Sequence, residues 1–164
     1  MTARPLRGDE AKLLEDLRLR ALAEAPGAFA HAHAAIAAKP EAYWEEMTRS
    51  VAEPGRHAMF VAEEAAAPVG LVFGLVDREQ ADTAHLGGMW VEPCARAHGV
   101  GRALGAAVLG WARNRCFRRI ALWVTDGNVS AVALSARLGF APTAGRRPSP
   151  VDPGLSILEM ERAL

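Results

Sequence analysis

With 164 residues, about half of them apolar, and 19 basic residues balanced by 19 acidic ones, the chain can bury a sizeable core as a single domain over 1–164. The balance argues against nucleic acid or an anionic membrane as the principal partner, and no apolar run approaches the roughly 20 residues of a membrane span. The opening MTARPLRGDE holds no apolar signal core, so a cytoplasmic address is expected, with Cys94 and Cys116 as free thiols.

Arg4-Pro5-Leu6-Arg7 reads as a short edge strand, where proline is tolerated. Asp9 is placed to cap a helix with Leu13, Leu14, Leu17 and Ala21 on one face, and Pro26-Gly27 breaks it. The alanine-rich run from Ala28 to Lys39 reads as a solvated stretch. Its His31 and His33 are spaced i, i+2, which turns them apart on a helix and speaks against a metal pair. Pro40 suits the first turn of a second helix, with Tyr43, Trp44, Met47 and Val51 periodic along it. Glu53-Pro54-Gly55 ends that helix.

His57 to Glu63 and Val69 to Val76 flank Ala65-Ala66-Ala67-Pro68 and predict an antiparallel hairpin. The polar turn Asp77 to Asp82 leads to a strand ending at Val91. A helix over roughly 102–116 follows, then Ile120 to Thr125 as a buried strand. Asp126-Gly127-Asn128 is a turn supplying a helix cap, before a helix through Val132, Leu134 and Leu138 that Gly139 terminates. Arg146 to Gly154 reads as a Pro-rich loop and Leu155 to Met160 as the last strand. The order is β-α-α-β-β-β-α-β-α-β-β. Its β-α-β crossover fixes one parallel pair in an otherwise antiparallel sheet of about seven strands, with helices on both faces, an α/β (α+β) fold.

The stretch that carries chemistry is HLGGMWVEPCARAHGVGRALG, His85 to Gly105. A strand, a Gly-containing turn and a helix start make an anion site. Unpaired N–H groups of the first helical turn converge on one point, and the helix dipole adds positive charge there. Arg96 and Arg102 bracket the turn and can add charge-assisted hydrogen bonds. A dinucleotide fingerprint does not fit, because Gly99-x-Gly101-x-x is followed by Leu104 rather than glycine. A Walker loop does not fit either, since no G-K-[ST] follows.

Val91-x-Pro93-x-x-Arg96-x-x-Gly99-Val100-Gly101 resembles the acetyl-CoA signature of the GNAT superfamily of N-acetyltransferases. Asn128-x-x-Ala131-x-x-Leu134-x-x-x-x-Gly139-Phe140 resembles its downstream signature. Together, at family spacing and within the matching order of elements, they cover about residues 69–143. The resemblance implies a GNAT-like sheet whose central parallel pair splays, with the pantetheine arm of acetyl-CoA, as co-substrate, lying in the gap. Gly87-Gly88 would supply the bulge, and Met89, Trp90 and Val91 the backbone groups for pantetheine. Arg96, Ala97, His98, Gly99, Val100 and Gly101, with Arg102, would bind the pyrophosphate. Asn128 would bond the pantetheine arm and Arg137 could reach the nucleotide end. No metal is implied.

Acetyl transfer by direct attack needs a base for the ammonium form of the acceptor, a donor for the tetrahedral oxyanion and an acid for the departing thiolate. Many relatives place a tyrosine after the leucine of the downstream signature. Here Ser135 stands there, and the only tyrosine is Tyr43. An aliphatic hydroxyl is a much poorer proton donor than a phenol, which suits Ser135 to hydrogen-bonding the sulfur. His85, near the start of the strand where relatives often place a glutamate, is the candidate base, ahead of Glu92, Glu45 and Glu46. Tyr43, Trp44 and Phe29 could wall the acceptor site, and Arg146 and Arg147 could favour an acidic acceptor. The expected function is transfer of acetyl to an amine on a small molecule or a protein N-terminus, with homodimerisation open. The alternatives are an acyl-CoA sensor without turnover and an acyltransferase using a longer chain.

Overall fold

The computed structural model describes residues 2–29, 31–53 and 57–164. Strand β1 (Thr2–Pro5) leads to α1 (Ala11–Glu24), a 3-10 turn (Pro26–Ala28), α2 (His33–Ala37) and α3 (Glu41–Ala52). Strands β2 (Ala58–Glu64), β3 (Ala67–Val76) and β4 (Thr83–Val91) precede a 3-10 turn (Pro93–Ala95) and α4 (Val100–Asn114). The chain closes with β5 (Arg119–Thr125), α5 (Val129–Arg137), β6 (Ala141–Pro148) and β7 (Ser156–Ala163). The seven strands form one sheet in the order β1-β2-β3-β4-β5-β7-β6. Every pairing is antiparallel except β4 with β5. Among the described residues no helix is long and apolar enough to cross a membrane.

Period-two alternation sorts the strands' side chains into two cores. On β2, Phe60 and Ala62 face a layer with Leu104, Val108 and Leu138 of the α4 side, while Met59 and Val61 face Leu14, Leu17 and Trp44 of the α1 and α3 side. Glycine sets how closely α4 approaches the sheet and α5. A Cβ on Gly74 would meet the Trp111 ring at 2.8 Å, and one on Gly105 would meet Leu138 Cδ1 at 2.4 Å. Gly110 on the same helix has nothing within 4 Å. The two positions therefore respond in opposite directions. Gly105→Ala should lose about 1–3 kcal/mol to overpacking, and Gly110→Ala should gain about 0.5–1 kcal/mol of helix propensity. Denaturant melts of the two variants measure both.

Several expectations are corrected by tertiary contacts. Asp9 does not cap α1. Glu10 stands at the cap position instead, where its carboxylate accepts from Arg7 N–H at 2.8 Å and from both Arg4 Nη atoms at 2.8 Å. That charged fork outcompetes a neutral-donor cap. The run from 28 to 39 is not wholly solvated: Phe29 and Ile36 are buried and α2 forms there. Two large apolar residues among alanines show no period, yet they close the α1–α3 layer. Pro40 precedes α3 rather than joining its first turn, and Pro54 and Gly55, expected to end it, lie outside the described residues. The β2–β3 turn is tighter than expected. Ala65 and Ala66 take φ of 48° and 66°, which lets Ala67 and Pro68 join β3 beside a register shift. The expected helix at 102–116 begins two residues earlier, at Val100, behind the left-handed Gly99 (φ 86°), and ends two earlier, at Asn114. Arg146, Arg147 and Pro148 belong to edge strand β6, paired to β7, which shortens the expected loop.

Candidate functional site

The parallel pair is held over three positions only, Thr83 to His85 against Arg119 to Ala121. Beyond His85, β4 has no ladder partner on its β5 side, so the strands part. The cause is local to β4. Leu71 pairs with Trp90 but Phe73 with Gly87, so β4 carries a bulge opposite β3. Gly88 sits in that bulge at φ 56°, and a Cβ there would meet the Phe73 ring at 2.7 Å. Glycine is needed on both counts. The gap holds about 110 Å³ and is lined by Gly88, Met89, Trp123, Asn128, Ala131 and Ser135.

Past the gap, the chain turns through two left-handed residues, Ala97 (φ 65°) and Gly99. They flank the exposed His98 and orient successive amides around one concavity. No side chain caps α4, so its first N–H groups are left for a ligand. Val100 is buried beneath and anchors the turn. Gly101 answers to packing: a Cβ there would meet Leu134 Cδ2 at 2.8 Å. Gly99 answers to conformation, since nothing lies within 4 Å of its Cβ position.

The structure brings Met89, Asn128 and Ser135 together at the gap, while Ala97 to Arg102 follow in the turn between β4 and α4 and the first residues of that helix. Asn128 Oδ1 caps α5 by accepting from Ala131 N–H at 3.1 Å, which leaves its amide NH₂ to donate. Ser135 is buried, and its hydroxyl donates to the Ala131 carbonyl at 2.8 Å. Trp90 turns its side chain into the α1-side core, and the Val91 carbonyl accepts from Arg96 Nε at 3.0 Å. Arg96 also bonds Glu24 at 2.7 Å. Arg102 is exposed in the first turn of α4, and Arg137 is exposed in the last turn of α5.

Glu24, which no sequence motif singles out, organises this corner. Besides Arg96 it accepts from Trp90 Nε1 at 3.2 Å, and the Arg96 contact, followed by the Trp90 bond, holds its carboxyl below the usual range. Glu92 is paired with Arg20, whose guanidinium lies over the Trp90 ring at 5.3 Å. The end of α1 is thus clamped to the end of β4.

On the far side of Gly87 and Gly88 the gap opens into a cleft of about 1050 Å³ between the α1–α3 layer and the sheet. Tyr43, Trp44 and Phe29 do line it, as do Glu46 and Arg147. Glu46 is paired with Arg49 at 2.8 Å, Arg147 stacks on the Trp123 ring at 4.1 Å, and Arg146 is held by Asp126 at 2.7 Å. His85 faces the cleft, with Nε2 2.5 Å from Asp77 Oδ2. This bond, with the backbone N–H groups of Gln80 and Glu79, holds the Asp77 carboxyl down to about 2. An ionised Asp77 at Nε2 makes that nitrogen the proton-bearing one and leaves Nδ1 basic. Asp77 was legible only as a turn residue. Its partner follows from register: Leu75 faces His85 across the β3–β4 pair, so residue 77 is a same-face diagonal neighbour of 85.

The model of the acetyltransferase (GNAT) family matches residues 19–140. A mycothiol acetyltransferase of Salinispora tropica is 42% identical over 67 residues, 38% of this chain and 22% of its own length. The chain thus spans about a fifth of the length of the curated relatives it matches. Among solved structures, a ribosomal-protein-alanine N-acetyltransferase from Brucella melitensis superposes with a TM-score of 0.82 at 19% identity, covering 100% of both chains. A phosphinothricin acetyltransferase from Sinorhizobium meliloti, in complex with AcCoA, gives 0.79 at 19% identity over 99% of this chain and 88% of its own. These two likenesses are of fold.

Proposed function

The chain belongs to the acetyltransferase (GNAT) family, and from that premise we propose that it transfers acetyl from acetyl-CoA to an amine by direct attack within a ternary complex. The observation that carries this reading is the continuity of the two spaces. The gap between β4 and β5, ending at an uncapped helix start, meets the cleft holding His85 and Asp77 at Gly87-Gly88. The acetyl-CoA complex of the Sinorhizobium meliloti protein, which shares the fold, supports the choice of co-substrate.

The residues present fit such a ligand: unpaired β4 backbone for an extended arm, and left-handed amides with Arg102 for a diphosphate. Acetyl-CoA supplies an activated acetyl group. Backbone groups of Met89, Trp90 and Val91 hold the pantetheine arm, and one N–H facing the gap polarises the thioester carbonyl. His85 Nδ1 removes a proton from the acceptor ammonium, directly or through one water, while Asp77 fixes its tautomer. Ser135 hydrogen-bonds the departing sulfur by turning its one O–H away from the Ala131 carbonyl that accepts it in the free protein. A thiolate leaves readily, so this role needs no strong acid.

The test is thiol release from acetyl-CoA across amines, amino acids and peptides, with acetyl-CoA binding followed by calorimetry. Steady release with at least one amine is expected. Tight binding without turnover of any amine would make the protein an acyl-CoA sensor, and release only from longer acyl-CoAs would change the donor.

A further inference from the structure

Arg18 lies on α1 beside the β4 bulge and lines the cleft. Its Nη1 is shut off from solvent and makes no hydrogen bond, and no carboxylate pairs with it among the described residues. The guanidinium lies over two rings, Phe29 at 5.0 Å and Phe73 at 5.4 Å. Cation–π contact of this kind holds the guanidinium in place without satisfying its N–H groups, and those other than Nη1 are the ones a ligand can reach. Nη1 sits 3.6 Å from where a Gly88 Cβ would be, which puts the fork at the junction of gap and cleft. Arg18 is half-buried, with this one N–H group buried and unpaired, an arrangement that costs free energy and that the charge of a ligand can answer.

Charge across the cleft is divided. The lining carboxylate on the helical side is Glu46, already paired with Arg49. On that side burial pulls the Arg18 guanidinium below its ordinary value. His31 is pulled down by burial and then by the charges of Arg18 and Lys39. The sheet side carries Asp77, Glu79, Glu159 and Glu161 against Arg78 and Arg147. One unpaired guanidinium facing a net negative sheet side matches a zwitterion.

We propose that Arg18 anchors a carboxylate of the acceptor, so that the substrate class is small amines bearing a nearby carboxylate, amino acids above all, with the amine turned toward His85. The inference rests on the acetyl-transfer reading of the same cleft and narrows its acceptor. A charge-assisted guanidinium–carboxylate pair is strong enough to dominate selection between an acid and its amide.

The experiment compares thiol release for L-amino acids and their carboxamides, in the wild type and in Arg18→Met, which keeps an apolar stem between the rings, and Arg18→Lys. The wild type should prefer acids over amides by about tenfold or more in kcat/KM. The preference should vanish in Arg18→Met and partly return in Arg18→Lys, with acetyl-CoA affinity unchanged throughout. Amides used as well as acids by the wild type, or an acid preference that survives Arg18→Met, would overturn the proposal. If no amine is turned over, thermal shift with CoA plus N-acetylamino acids decides. Stabilisation by the acids and not their amides, lost in Arg18→Met, supports the anchor, and equal shifts sink it. Absent acetyl-CoA binding sinks the acetyl-transfer reading instead, a result separable by calorimetry alone.

Discussion

Gly99→Asp is expected to raise the acetyl-CoA Kd at least tenfold, about 1.4 kcal/mol, while leaving the fold in place. The substitution separates binding from stability because of where Gly99 sits. Its φ of 86° is left-handed, a region aspartate visits more readily than most residues, and no atom lies within 4 Å of its Cβ position. Aspartate is also a good residue at a helix N-cap, where its charge favours the dipole. The favourable dipole interaction offsets part of the backbone strain, so a modest loss of stability with a retained fold is expected. The same carboxylate would occupy the concavity lined by the amides of 97–102 and repel a diphosphate there. Calorimetric titration with acetyl-CoA reads the effect. Unchanged affinity in a folded variant would place the nucleotide elsewhere and remove the basis for the activity.

His85→Ala is expected to lower turnover by roughly 100-fold, the usual contribution of a positioned base, with acetyl-CoA affinity intact. Asp77→Asn should lower kcat with little change in KM, since it disturbs the His85 tautomer rather than any contact with the acceptor. The aspartate also carries a stability signature. Its folded pKa of about 2 lies below the ordinary carboxyl value of 3.8. The stabilisation from the His85 bond is therefore present above about pH 4 and is lost as pH falls through about 2. Asp77→Asn should melt below the wild type at neutral pH, and the gap should close on acidification toward pH 2. A normal rate and pH profile for His85→Ala would remove this pair from the mechanism.

The order of elements and the two signature segments could be read from the sequence because both rest on local rules. Hydrophobic periods name helices and strands, and the glycines at 88, 99 and 139 sit where positive φ is required. Two more glycines of the same motifs, Gly101 and Gly105, look identical in the sequence but act through space. Gly101 makes room for Leu134 of α5 and Gly105 for Leu138 just past its end, which is visible only once α4 and α5 are packed together. Phe29 and Ile36, isolated among alanines, likewise show no pattern until the layer they close exists.

The sequence alone determined the strand–turn–helix that presents unpaired amides and the candidate base at the start of its strand, since neighbours in the chain suffice for both. Only the tertiary structure decided which charges stand where: Glu24 on Arg96 across 72 residues, Asp77 beside His85 through strand register, and Arg18 between two rings without a carboxylate. Pairings of that kind depend on how separate elements meet, and a charged side chain carries no periodic mark of its distant partner.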